Sequence, residues 1–142
     1  NETSYNELKL AFKSTKLNID TKVRILISYY QLIALNPEMS LQAHELSKIM
    51  ISVHPNDIKA RSVYADILYT DNQFQEAKEQ YLYILEQDKS KSQIWSQVLF
   101  IHAEQNDFEG LLKTICLVYS PTNCCKFSST WYKSNNKVIF LI

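Results

Sequence analysis

Glycine is all but missing: Gly110 is the only one in 142 residues, and three prolines are the only other strong chain breakers. A chain this poor in glycine holds neither a phosphate-cradling loop nor a Gly-x-Ser-x-Gly nucleophile elbow. The same scarcity argues for helices joined by short turns, because Gly and Pro punctuate sheets and loops. An excess of either charge is also lacking. Fifteen Lys and Arg balance fifteen Asp and Glu, so there is no basic field for nucleic acid. No segment approaches the roughly 18–20 consecutive apolar residues of a membrane span, and no signal-peptide pattern opens the chain.

Cysteine is scarce and oddly placed. Cys116, Cys124 and Cys125 leave one thiol over, and structural zinc sites space their paired cysteines about two to four residues apart. Neither a metal set with His102 nor a disulfide is expected, and no cofactor is called for. His102 falls on an apolar helix face, His54 precedes Pro55 in a turn, and His44 is expected to point outward beside Glu45. None belongs to an HExxH pattern, and no catalytic constellation emerges.

What the chain does have is a period. Asn72-Gln73-Phe74-Gln75-Glu76-Ala77 is followed 34 residues later by Asn106-Asp107-Phe108-Glu109-Gly110-Leu111, and Ser40-Leu41-Gln42-Ala43 fills the same positions one period earlier. A fixed repeat of this size marks an array of like supersecondary units. The apolar spacing, with Val23, Leu26, Ile27, Tyr30 and Ala34 on one core-facing side, predicts a helix from Lys22 to Leu35. Asp20 or Thr21 is its cap and Asn36-Pro37 its stop. A second starts at Ser40 and ends at His54-Pro55, and a third is capped by Asn56 or Asp57. A fourth follows the turn at Asp71–Gln73, a fifth follows Ser90 or Ser92, and a sixth follows Asp107. Residues 5–17 read as the second helix of an earlier unit, so the chain is expected to begin mid-array. Helices this long with turns this short make antiparallel hairpins.

These residues resemble the tetratricopeptide repeat. Setting Phe74 at the aromatic position of that pattern starts a repeat at Ile58 and places Tyr64, Ala65, Leu68, Ala77 and Tyr81 in packing positions. The next repeat starts at Ser92 and places Trp95, Val98, Leu99 and Phe108. The preceding one starts at Arg24, with Ala43 and Pro55 in their slots. The match covers residues 20–112. It departs from the pattern where no Gly stands in the first helices and where Leu111 replaces a small residue. The stretches Ala11–Tyr30 and His54–Asp66 are also similar to uncharacterised repeat proteins of the Bacteroidetes, which leaves the bacterial cytoplasm and the cell envelope both open.

The resemblance implies an all-α, right-handed α-solenoid of antiparallel helix hairpins. Residues 1–112 would hold about three repeats, the first partial, and residues 113–142 the end of the last helix and an atypical tail. It implies a non-catalytic scaffold that binds a peptide or a partner helix in its concave groove. A structural spacer, a self-association module and a regulatory segment of a larger protein are the alternatives. Stacked repeats of this kind would line the groove with Lys59, Ser62, Asp66 and Tyr69, and then with Gln93, Ser96, Phe100 and Glu104, beside Ser28 and Leu32. Tyr69 and Phe100 are the candidate aromatic anchors, unless they pack on a neighbouring helix. Asp66 and Phe100 stand where a carboxylate-clamping groove would carry Asn, which argues against that ligand.

Beyond Lys113 the pattern fails. No acidic residue follows Glu109, all three cysteines lie there, and the chain ends Val138-Ile139-Phe140-Leu141-Ile142. Two origins fit this change: a shifted reading frame, which sequencing of the native locus would test, or a short capping segment of the kind terminal repeats have.

Overall fold

The structure, a computed structural model of the chain, describes residues 2–33 and 36–119. All regular structure among them is α-helical: α1 Glu2–Lys13, α2 Ile19–Ile33, α3 Pro37–Val53, α4 Ile58–Thr70, α5 Phe74–Gln87, α6 Ser92–Glu104 and α7 Phe108–Tyr119. Two compact units divide the chain, one through Lys91 and one from Ser92. In the first, α2 packs on α3 and α4, α3 also packs on α4 and α1, and α4 pairs with α5. In the second, α6 pairs with α7. The segment after Lys113 that broke the repeat pattern falls, from Ser120 onward, outside the described residues.

One apolar cluster in the first unit is drawn from four helices. Phe12 of α1, Leu26 and Ile33 of α2, Ala43, Leu46 and Met50 of α3, and Ala60 and Ile67 of α4 form one buried cluster. Full burial of each large aliphatic or aromatic side chain is worth about 1.5–3 kcal/mol. Exposed ion pairs such as Lys59–Asp20 add little by comparison. Polar contacts also join α1 to α3. Tyr5 donates to Glu45 Oε2 at 2.8 Å, while Lys9 reaches Oε1 at 2.9 Å.

Helix boundaries follow their caps. Asp57 accepts from the Ala60 N–H and opens α4, as its side-chain chemistry predicts. The starts of α2 and α3 differ from expectation. Asn18 accepts from the Asp20 N–H, so α2 begins at Ile19 and not at Lys22. Asn36 accepts from the Glu38 N–H and places Pro37 in the first turn of α3. Proline there loses nothing, since the first N–H groups of a helix have no partner within it. The Asn-Pro pair expected to end one helix therefore starts the next, and α3 begins three residues before Ser40.

The other two hairpins keep the period. Ile58 to Ser92, Thr70 to Glu104 and Phe74 to Phe108 are each 34 residues apart. Their turns also match. Asn72 and Asn106 both adopt left-handed backbone, with φ of 59° and 54°. Each is followed by an N–H that reaches back five residues, Gln73 to the Leu68 carbonyl and Asp107 to that of His102. This is the hydrogen-bond pattern of a Schellman helix end, with Asn in the position glycine usually takes.

Candidate functional site

α2 carries Leu26, Ile27 and Tyr30 within one turn, and α4 carries Val63 and Asp66. Where the two helices meet, these five residues line a recess of about 80 Å³. Leu26 is fully buried at its base, whereas Ile27 and Tyr30 are 49% and 45% exposed at its rim. Asp66 supplies the only charge among the described lining residues. Its Oδ1 accepts a 2.6 Å hydrogen bond from the hydroxyl of Tyr81, a fully buried residue of α5. Burial pushes the Asp66 carboxyl above the usual aspartate value, against the opposing pull of that hydrogen bond. The buried Tyr81 hydroxyl is pushed well above the usual tyrosine range by desolvation first and by the Asp66 charge second.

Of the residues expected in a groove, the first unit holds four on α4. Asp66 enters the recess wall. Lys59 is exposed and pairs with Asp20 of α2 at 2.6 Å. Ser62 is half-buried. Tyr69 is half-buried too, and its ring meets Phe74 edge-on with centroids 5.4 Å apart. The second unit holds the other four on α6. Gln93, Ser96 and Glu104 are exposed, Ser96 donating to the Ser92 carbonyl. Phe100 is 59% exposed.

Ile27, Tyr30 and Val63 were not among the expected groove residues. The periodicity of α2 put Ile27 and Tyr30 on the face meant for the core, and only the packing of α2 against α4 turns them to the rim. The one local signal is Asp66 itself, a carboxylate set between Ala65 and Ile67, both fully buried. Two other packing expectations also change. Phe108, expected in the core, is 49% exposed. His44, expected to point outward, is half-buried, with its ring edge-on to Tyr64 and its Nδ1 3.2 Å from Asp71 Oδ2.

Two further polar arrangements and one covalent bond were not legible in advance. Lys22 is fully buried and donates to the Ser14 carbonyl at 2.9 Å. Its Nζ also stands 3.0 Å from His54 Nε2, which accepts only with the ring proton on Nδ1. Burial holds the Lys22 ammonium below the usual lysine range. In the second unit His102 is buried as expected, with Nδ1 2.7 Å from Asp107 Oδ2, and Asp107 caps α7 by accepting from the Gly110 N–H. Cys116 of α7 is disulfide-bonded, contrary to expectation. An odd count of thiols along the chain does not decide whether any of them pairs.

Among the described residues, no group of three or more His, Cys, Asp or Glu stands together to hold a metal ion. Nor is any helix among them long and apolar enough to cross a membrane. No protein-family model, no curated protein and no solved structure matches the chain.

Proposed function

We propose that the chain is a non-catalytic protein-interaction scaffold, a right-handed stack of tetratricopeptide-like hairpins that holds an extended partner segment against its first helices. The observation that carries this reading is the recess between α2 and α4, apolar in its walls, with half-exposed Ile27 and Tyr30 at its rim. Aromatic and aliphatic side chains left at a concave rim are the kind of anchor on which interfaces concentrate their energy. The 34-residue spacing of the α4–α5 and α6–α7 boundaries, and their shared turn, support a repeat array. So do the contacts of α2 with α4 and of α1 with α3, since each repeat of a stack touches the next. Such a scaffold works by presentation: helices already in place lower the ordering cost of binding.

Panning random extended peptides against the full chain tests the proposal. Peptides enriched on the wild type should bind the Ile27→Ser/Tyr30→Ser variant about tenfold more weakly by fluorescence anisotropy. Circular dichroism of the two proteins should superimpose. Equal binding to both would move the site away from α2 and α4, and failure to enrich any peptide would sink the scaffold reading.

A second reading, self-association, is favoured by one observation. Phe108, Leu112 and Ile115 recur on one side of α7 at helical spacing, and all three are exposed.

A further inference from the structure

The recess has a chemical character that narrows what can fill it. Leu26, Ile27 and Val63 give aliphatic walls, Tyr30 an aromatic one, and Asp66 a single carboxylate. One oxygen of that carboxylate is engaged by the Tyr81 hydroxyl. No Lys, Arg or His pairs with Asp66 among the described residues. A carboxylate drawn out of water and given only a neutral hydrogen bond is poorly compensated. Among the described residues it lacks the cation that would normally accompany it.

We infer that the recess seats a basic side chain, lysine or arginine, of an extended partner segment, with the aliphatic stem against Leu26, Ile27 and Val63 and the cationic head at Asp66. The inference rests on the scaffold reading and adds to it the chemistry of the residue recognised. Lysine and arginine are the side chains that carry both parts, an apolar stem and a charged tip. Tyr30 at the rim adds an aromatic ring, a group that attracts cations. An acidic guest would meet like charge. A purely apolar guest would strip the remaining water from Asp66 and leave the carboxylate with the phenol alone, a costly exchange. A metal ion would find one carboxylate where it needs several oxygen ligands.

The simpler account is that Asp66 only ties α4 to α5 through Tyr81. Asp66→Asn separates the two, because the amide oxygen can still accept from Tyr81 while the charge is gone. The full chain, labelled on its Ile, Leu and Val methyl groups, is titrated with n-butylammonium, n-butanol and butyrate and followed by NMR. The Leu26, Ile27 and Val63 methyls should shift saturably with butylammonium, and about tenfold more weakly with butanol or butyrate. Asp66→Asn should lose the ammonium response. Ile27→Lys, on the exposed rim, should lose it as well, by supplying the cation within the chain. Equal responses to ammonium and alcohol, or an unchanged response in Asp66→Asn, would overturn the inference.

Peptides enriched by panning supply a second arm. Replacing their basic residue with norleucine should weaken binding to the wild type about tenfold and leave binding to Asp66→Asn unaffected. Peptides that bind tightly with no dependence on a basic residue would refute the cation seat while keeping the scaffold. If no peptide is enriched, the scaffold reading fails on its own, and the butylammonium titration still decides the recess.

Discussion

Gly110 shows how a residue can be misjudged from helix propensity. It lies in the first turn of α7, where Ala would ordinarily gain about 1 kcal/mol over Gly. Yet a Cβ built on Gly110 would collide with the His102 ring and the Asp107 carboxylate. Those two groups face each other at 2.7 Å, and the same Asp107 caps the helix. Gly110→Ala is therefore expected to lower the urea midpoint, by the equivalent of about 1–2 kcal/mol of overpacking. A variant more stable than the wild type would mean that His102 and Asp107 give way at no cost.

Asp66 makes a prediction of the same scale through pH. Its carboxyl is raised in the folded chain above the ordinary 3.8, so the folded state holds that proton more tightly than the unfolded state does. The stability this group contributes is complete below 3.8 and is lost as pH climbs through the folded value. Asp66→Asn keeps the acceptor for Tyr81 and removes the charge. Its urea midpoint should exceed that of the wild type at neutral pH, and the gap should close as the solution is made acidic. A gap independent of pH would show that the carboxylate carries no burial penalty.

At the scale of elements, the hairpin turns decide the period. Asn72 and Asn106 sit in left-handed backbone, where a Cβ-bearing residue without a short polar side chain pays about 1–2 kcal/mol. Asn72→Ala should cost about that much in denaturant unfolding, whereas Asn72→Gly should stay within a few tenths of a kcal/mol. If Ala and Gly behave alike, the left-handed turn does not persist in solution. The α2–α3 hairpin breaks the period for an equally local reason. Asn36 and Pro37 make a better helix start than Ser40, so the turn moves upstream, while α3 still ends at Val53, one period before the end of α5 at Gln87.

At the scale of the whole molecule, the exposed apolar side of α7 is the candidate contact between copies of the chain. Phe108, Leu112 and Ile115 are exposed together, and apolar side chains aligned on one helix face attract a complementary surface. If they drive self-association, sedimentation velocity should show mass rising with concentration. Leu112→Glu/Ile115→Glu should restore a concentration-independent monomer without changing the helical signal. A wild-type mass that is constant across concentrations would end that reading and leave peptide binding as the proposal.

Helix content, the 34-residue period and caps such as Asp57 were legible along the chain, because they depend on neighbours within one or two turns. The burial of Ala43, Ala65, Ala77 and Tyr81 was legible for the same reason, through apolar spacing. The recess was not. Ile27 and Tyr30 carry the same periodic signal as Leu26, and only the approach of α4 leaves one buried and two at a rim. The pairing of Asp66 with Tyr81, 15 residues away, and of Lys22 with His54, 32 residues away, likewise depends on how helices pack. Local pattern tells a side chain which face of its own helix it occupies. What stands opposite that face, and whether a charge there is answered, is set by the neighbouring helix.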